Sequence, residues 1–386
     1  MIDFLQLEGA RCLSCANPSC KKACPVSNDI PAFLRFAGAG LFKQAADAIG
    51  HPFGEICGYI CPCEQQCQSG CVLSKQGREI NIGQAEKELF GKYPYEVKRR
   101  GNALSGRKIA VVGGGVCGLT FAVKAYEEGA DVTVFERGEL LSTLKTIPDF
   151  RLPYDAVKRA ENAVKDKIDV VKKDVSSYDI LQFEKEYYAV LIATGACVNY
   201  DLGIDGAEYA TDYKDCLQGN YKRGKVVVVG GGNSAMDCAR LAKRNGDDVI
   251  LAYRRTKDDM PAFRKEIDST VAENVEFKFN VAPVRLVKSQ NGLTLVLAKT
   301  VSQGRGKLEI TDDVFEVQCD SVIAATGSKF DAGILSGEIR NVGSYRLSDN
   351  LYIGGDAYKG KLVADAVADG KKIAEMLITD ARKLCL

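Results

Sequence analysis

Short, unbroken apolar runs that end in glycine recur along the chain and set its reading. Lys108–Val112 is KIAVV and Lys225–Val229 is KVVVV. Such runs are the pattern of parallel strands buried on both faces. The first passes into Gly113, Gly114, Gly115, Val116, Cys117 and Gly118, then a helical pattern through Tyr126, then a second strand from Asp131 to Phe135. The second passes into Gly230, Gly231 and Gly232, then a helix, then a strand from Val249 to Tyr253. This repeat predicts two copies of one strand–turn–helix–strand unit. AVLIATG (189–195) and SVIAATG (321–327) read as returning strands. Between Val275 and Val317, local alternation (Val284, Leu286; Leu293, Leu295, Leu297) predicts an antiparallel excursion. LYIGGD (351–356), followed by a helical stretch ending near Ile378, completes the first unit. The second unit is therefore inserted in the first.

Residues 27–100 read differently, mainly as helix. Pro31 opens one helix, with Ala32, Phe33, Leu34 and Phe36 behind it. Phe42, Ala45, Ala46 and Ile49 mark a second, and Ile80 to Phe90 a third that carries Glu86. Tyr93 to Gly106 is polar and reads as a linker whose basic residues, Lys98, Arg99 and Arg100, are solvated.

The glycine runs carry chemistry because of where they sit. Between a strand and a helix, Gly113 allows the tight turn, Gly115 admits a pyrophosphate and Gly118 lets helix pack on strand. The helix N-terminus then faces the phosphates. Glu136, at the end of the second strand, stands where an acid bonds a ribose hydroxyl. In the second copy, Gly230, Gly232 and Ala235 form the G-x-G-x-x-A variant, and the register of Glu136 holds Tyr253, followed by Arg254 and Arg255. Guanidinium pairs with a 2′-phosphate that an acid repels, so the second site favours NADPH, with NADH possible. Asp356, after the last strand, is aimed at the ligand of the first site.

Nine of the 15 cysteines fall between Cys12 and Cys71: Cys12, Cys15, Cys20 and Cys24 before Pro25, then Cys57, Cys61, Cys63, Cys67 and Cys71. The first run, C-x2-C-x4-C-x3-C-P, is similar to the ferredoxin-type iron–sulfur run, in which the cysteine before proline serves a second cluster. Two four-iron clusters need eight ligands. Paired zinc sites or a disulfide framework also use clustered cysteines, but the C-P ending and the redox domains that follow favour iron–sulfur.

Composition narrows the classes. A 386-residue chain accommodates two or three domains. Net charge is +1, so no global field recruits nucleic acid or an anionic membrane. No signal peptide or membrane span is recognisable, and abundant cysteine without secretion implies a reducing, cytoplasmic setting. His51 is the single histidine. The expected fold is α/β: an N-terminal α-helical iron–sulfur domain (1–100), then two Rossmann-like nucleotide-binding domains. The first is split (101–200 and 328–386), and the second, NAD(P)H-binding one (201–327) is inserted in it; the resemblance given below makes the split one the FAD-binding domain.

Two dinucleotide sites beside iron–sulfur clusters imply a flavin and a nicotinamide, because a flavin converts a two-electron hydride into single electrons. No side chain need act as a strong base, so no catalytic residue is assigned. A flavin disulfide reductase shares the layout but needs a cysteine pair near the flavin. Cys117 is alone in its loop, and Cys197, Cys216, Cys238, Cys319 and Cys385 are scattered.

Over nearly its full length the chain resembles the glutamate synthase small-subunit family. It is similar, too, to the N-terminal module of dihydropyrimidine dehydrogenase and to the large subunit of NADH-dependent ferredoxin:NADP oxidoreductase. The matching stretches are CLSCANPSCKKACP, ICGYICPCEQQCQSGC, INIGQAE, VVGGGVCGL, IPDFRLP, VLIATG, VVGGGNSAMDCAR, YRR with MPA following, and IGGD. The resemblance implies one cluster on Cys12, Cys15, Cys20 and Cys71. It implies another on Cys24, Cys61, Cys67 and the side chain of Glu86, with Cys57 and Cys63 spare. It assigns Gly113, Gly115, Gly118, Glu136 and Asp356 to FAD, and Gly230, Gly232, Asn233, Ser234, Arg254 and Arg255 to NADPH. Arg151, in IPDFRLP, is placed near the flavin. The implied activity is electron entry: hydride from NAD(P)H to FAD, then single electrons through two [4Fe-4S] clusters to a larger catalytic or electron-accepting partner subunit, glutamate synthase-like or another reductase. An electron-bifurcating NAD(P)/ferredoxin oxidoreductase subunit and a non-enzymatic iron–sulfur sensor or scaffold are the alternatives. The chain is shorter than usual members, is compressed between Gly327 and Leu351, and lacks the usual glycines in LLSTLKT before IPDFRLP. These departures bear on flavin access and docking.

Overall fold

The computed structural model describes residues 3–290, 292–302, 307–335, 344–360 and 362–383; Cys385 lies outside them. Two compact units are present. One comprises Met1–Lys145, Asp149–Cys197 and Phe330–Leu386, the other Thr146–Pro148 and Val198–Lys329.

The first unit begins with six helices: α1 (Phe4–Arg11), α2 (Ser19–Ala23), α3 (Ile30–Gly38), α4 (Phe42–Ile49), α5 (Gly54–Ile60) and α6 (Ile82–Lys92). α3 starts where the sequence places it: the Asp29 carboxylate accepts the Ala32 N–H at 3.1 Å, and Pro31 occupies the first turn, where no donor is needed. Phe33, Leu34, Ile49, Phe53, Ile56 and Leu89 are buried among these helices. α5, GEICGYI, was not expected, because its two glycines and β-branched residues are weak helix formers. Packing supplies what propensity lacks. A Cβ on Gly58 would meet the Gly83 carbonyl oxygen at 2.5 Å, so only glycine lets α5 approach α6 this closely. That approach brings the Cys57–Cys61 segment towards Glu86.

Five parallel strands follow in the order β15-β4-β1-β2-β3: β1 (Lys108–Val112), β2 (Asp131–Glu136), β3 (Asp169–Lys172), β4 (Ala189–Ile192) and β15 (Leu351–Ile353). Thus the C-terminal strand adds to a sheet begun before the insertion. Helices α7 (Val116–Glu127), α8 (Ser142–Lys145), α9 (Tyr154–Lys165), α10 (Ser177–Glu186) and α14 (Val363–Lys383) accompany this sheet. Val112, Phe135, Ile192 and Ile353 share a core with Phe183, whose ring stacks on Phe135 at 4.4 Å.

The second unit repeats the plan. Its parallel sheet runs β6-β13-β7-β8-β9, from β6 (Thr211–Asp212), β7 (Lys225–Val229), β8 (Asp248–Tyr253), β9 (Glu276–Phe279) and β13 (Ser321–Ala324). The expected antiparallel excursion is β10 (Val281–Ser289), β11 (Gly292–Ser302) and β12 (Leu308–Cys319). Two short strands, β5 (Val198–Asn199) and β14 (Ser328–Lys329), pair antiparallel. α11 (Tyr213–Leu217), α12 (Asn233–Arg244) and α13 (Arg264–Ala272) complete the unit. Arg240 ties α12 to α13 and the turn after it, at 2.8 Å from Glu266 and 3.0 Å from Glu273.

The 93–106 stretch is irregular, but its arginines are not merely solvated, contrary to expectation. Arg99 lies 4.0 Å over the Tyr126 ring and donates to the Tyr126 and Ala130 carbonyls, each at 2.8 Å. Arg100 bonds Asp47 at 2.7 Å and Glu127 at 3.1 Å. Sequence gives no sign of these partners because they come from α4 and α7. Only Lys98, paired with exposed Glu96, fits the solvated reading.

Candidate iron–sulfur and nucleotide sites

Cys12, Cys15, Cys20 and Cys71 line one pocket together with Ile30 and Leu34. They arrive from separate places: the end of α1, the loop after it, α2 and the segment before α6. Arg11 holds this convergence. Its guanidinium donates to Glu8 at 2.5 Å and to the Arg78 carbonyl at 2.7 Å, while Glu8 accepts the Asn81 N–H at 2.8 Å. Ser14, with φ of 47°, adopts the left-handed conformation and turns its N–H back onto the Cys12 sulfur. Burial pushes the Cys12 thiol up, and pushes Cys20 to about 11, with Cys71 nearby adding to both.

A second group forms deeper. Cys24 is pushed up to about 11, chiefly by burial, with Glu86 and Cys61 contributing through their charge. Cys67 is raised by the neighbouring Cys63 thiol and by burial, with Glu86 and Cys24 again close. Cys57 is likewise raised by the neighbouring Cys61 thiol and by burial. Glu86 is 4% exposed, and burial raises its carboxyl to about 7. The structure therefore gathers Cys12, Cys15, Cys20 and Cys71 in one place and Cys24, Cys57, Cys61, Cys63, Cys67 and Glu86 in another.

The donor chemistry fits clusters. Eight donors, seven of them thiols, match the thiolate ligation of two four-iron clusters, in which each ligand takes its own iron.

At the first glycine loop, Gly113 has φ of +109°, and a Cβ there would lie 2.4 Å from the Ala193 carbonyl oxygen. Apart from its chain neighbours and the start of its own helix, no described residue comes within 4 Å of an ideal Gly115 Cβ, which leaves room for a phosphate. Gly115 precedes α7 with no side-chain cap, so the first-turn N–H groups lack a side-chain partner there. The buried Thr194 hydroxyl has no hydrogen-bond partner among the described residues. Glu136 accepts the Gly114 N–H at 2.6 Å and the Gly138 N–H at 2.8 Å. Asp356 is exposed beside the Gly354–Gly355 turn, yet desolvation by the surrounding protein, with Asp365 and Asp369 near, raises its carboxyl to about 6. Asp369 anchors that turn by accepting the Gly355 N–H at 2.9 Å. Arg151 is half-buried in the loop before α9. These features fit a dinucleotide.

The second loop is built alike. Gly232 is open around its Cβ position, and α12 starts without a side-chain cap. Asn233 Oδ1 accepts the Phe263 N–H at 3.0 Å, which joins the glycine loop to the segment before α13, and Ser234 is half-buried next to it. The Tyr253 ring lies where a Gly231 Cβ would come within 2.3 Å of it, and its hydroxyl donates to the Asp259 carbonyl at 2.8 Å. Arg254 is exposed and Arg255 half-buried. The place of the acid is thus filled by a phenol ring with two guanidiniums after it.

Sequence reasoning passed over Asn28, Thr194, Glu55 and Arg159. Thr194 carried a signal in the ATG motif; the others make contacts visible only in three dimensions.

A family model described as dihydropyrimidine dehydrogenase domain II, 4Fe-4S cluster, matches residues 4–93. Another, pyridine nucleotide-disulphide oxidoreductase, matches residues 107–338. The chain is 30% identical to the glutamate synthase [NADPH] small chain of Escherichia coli, covering 95% of this chain and 89% of that one. It is 28% identical to the NADPH-Fe(3+) oxidoreductase subunit beta of Geobacter sulfurreducens, over 94% of this chain and 58% of that one. Among solved structures, Mycobacterium tuberculosis FprA in complex with NADPH aligns with a TM-score of 0.58 at 18% identity, covering 72% of this chain and 85% of that one. Lactococcus lactis thioredoxin reductase gives 0.57 at 18%, covering 72% and 99%. At that identity these structures establish the fold alone.

Proposed function

Since the chain belongs to the glutamate synthase small-chain family of pyridine nucleotide-disulphide oxidoreductases, we propose that it is the electron-entry subunit of a larger complex. It takes electrons from NADPH and delivers them through two [4Fe-4S] clusters to a larger partner subunit that carries the terminal acceptor. The observation that carries this reading is the pair of separate thiol groups packed in the same compact unit as the first glycine loop.

FAD is assigned to Gly113, Gly115, Gly118, Glu136 and Asp356, with Arg151 close by. NADPH is assigned to Gly230, Gly232, Asn233, Ser234, Arg254 and Arg255. One cluster is assigned to Cys12, Cys15, Cys20 and Cys71, the other to Cys24, Cys61, Cys67 and Glu86. When bound, the flavin supplies the exchange between hydride and single electrons. The chain's own part is placement. The α7 and α12 N-termini receive pyrophosphates, Glu136 orders the first loop, and the arginines after Tyr253 select a 2′-phosphate. Backbone N–H groups of Ser14, Lys21, Val26 and Asn28 lie near the Cys12, Cys20 and Cys24 thiols and favour their thiolates. Such donors raise the potential of a thiolate-ligated cluster. No described helix is long and apolar enough to cross a membrane.

Anaerobic purification from the native source tests the proposal, with iron and flavin counted in the same sample. About eight irons and one FAD per chain, a larger subunit and bleaching by NADPH support it. Zinc, or about four irons, overturns the ligand assignment. Failure of the isolated protein to oxidise NAD(P)H overturns the entry role.

A further inference from the structure

Asn28 and His51 belong to neither ligand set, yet they are 3% and 1% exposed. An amide and an imidazole buried this far are unfavourable unless hydrogen-bonded. Their bonds form a single line. The Phe53 backbone N–H donates to His51 Nδ1 at 3.2 Å. That nitrogen is therefore the acceptor, so the proton of the neutral ring sits on Nε2. Nε2 lies 3.2 Å from Asn28 Oδ1 and donates to it. With Oδ1 used as acceptor, Asn28 Nδ2 donates to Glu86 Oε1 at 3.3 Å. The backbone N–H of the same Asn28 lies near the Cys24 thiol and favours its thiolate. One residue thus neighbours two of the four side chains assigned to the second cluster.

We infer that His51 and Asn28 are positioning residues for the Glu86 carboxylate: the line from the Phe53 backbone engages Oε1 and presents Oε2 to iron. The inference rests on the reading of Glu86 as a ligand. A glutamate side chain has three rotatable bonds and can bind through one oxygen or two. A donor fixed on one oxygen selects one-oxygen binding and one rotamer. Outer partners of this kind orient ligands and tune the centre they serve, and hydrogen bonding is one of the levers on cluster potential. The line is rooted in backbone, so it cannot swing with a surface side chain. The single histidine of the chain is spent on it.

The test uses the anaerobically purified, cluster-loaded protein and four variants: Glu86→Ala, Asn28→Ala, His51→Ala and His51→Gln. The readouts are iron and FAD content, the electron paramagnetic resonance spectrum of the reduced protein, and a potentiometric titration of each signal. Glu86→Ala identifies which signal belongs to its cluster. Asn28→Ala and His51→Ala are expected to shift the g-values and midpoint potential of that signal alone, with FAD retained. His51→Gln, whose amide can still donate to Asn28, is expected to restore the original spectrum. An unmoved signal in Asn28→Ala at full iron content overturns the inference. So does equal loss of both clusters and FAD in every variant including His51→Gln, which assigns the pair to packing. If Glu86→Ala itself leaves both signals unchanged, the ligand reading fails instead.

Discussion

Arg159 clamps Glu55 with two bonds, Nη2 to Oε1 at 2.6 Å and Nε to Oε2 at 2.9 Å. The glutamate sits on α5, which leads directly into Cys61, and the arginine on α9, just after the loop that bears Arg151. The clamp therefore fixes the thiol-bearing helix against the side of the first nucleotide site. Glu55 is buried, whereas Arg159 is partly open to solvent, so the two are not interchangeable in cost.

Removing the arginine leaves a buried carboxylate without its counter-charge. Arg159→Ala is expected to destabilise the protein by about 2 kcal/mol, less than for a fully enclosed pair because water screens the guanidinium. Adding Glu55→Gln to that variant should recover part of the loss, since a neutral amide needs no counter-charge. Denaturant midpoints of the two single variants and the double variant measure this. Losses that add within about 0.5 kcal/mol would show that the two side chains act independently.

The two thiol sets predict separable losses. Cys20→Ala should remove about four of about eight irons and spare the second cluster, and Cys67→Ala should do the reverse. Cys57→Ala is expected to keep both, because Cys57 is not among the assigned ligands. Iron content and the reduced-state resonance spectrum decide this. Loss of a cluster in Cys57→Ala would exchange its role with a proposed ligand.

What the sequence revealed and what it concealed divide along a physical line. The glycine loops and cysteine runs were legible because each function there needs a residue type at a fixed local spacing: Gly113 for a positive φ, Cys12 and Cys15 within one loop. The same holds for β1 and β7, whose unbroken apolar runs admit few other readings. Contacts between distant segments left no such trace. Asn28 meets Glu86 and Arg100 meets Asp47 only after the helices pack. α1 and α5 escaped notice since α5 depends on a Gly58–Gly83 approach rather than on helix propensity. His51 was visible as the single histidine, but nothing local tied it to the second cluster.

His51 also predicts a pH dependence. Burial, with Lys371 and Lys124 nearby, lowers its pKa from 6.5 to about 3. Between those values the unfolded chain binds a proton that the fold excludes. Stability from this residue is therefore present above pH 6.5 and lost as pH falls towards 3, by up to about 1.4 kcal/mol per unit. Asp356, raised to about 6, acts in the opposite sense. His51→Gln should leave the Asp356 contribution in place while removing its own. The expected result is a smaller drop in melting temperature between pH 7 and pH 5 than in the unaltered protein. Parallel profiles would mean that the imidazole titrates normally in the fold.

The last prediction concerns the nucleotide. Glu136 at the end of β2 and Tyr253 at the end of β8 occupy the same register, each against its glycine loop: one bonds the Gly114 N–H, the other packs its ring on Gly231. Replacing an acid by a phenol removes the repulsion of a 2′-phosphate but supplies no charge to attract it. That attraction has to come from Arg254 or Arg255, and Arg254 is the more exposed. A charge-assisted bond contributes about 1.5–3 kcal/mol. Arg254→Ala should therefore raise KM for NADPH roughly 10- to 100-fold, with KM for NADH changed little, in an assay of flavin bleaching with each nucleotide. Equal losses for both would place Arg254 at the shared pyrophosphate or in the fold, and the preference would then rest on Arg255 or be absent.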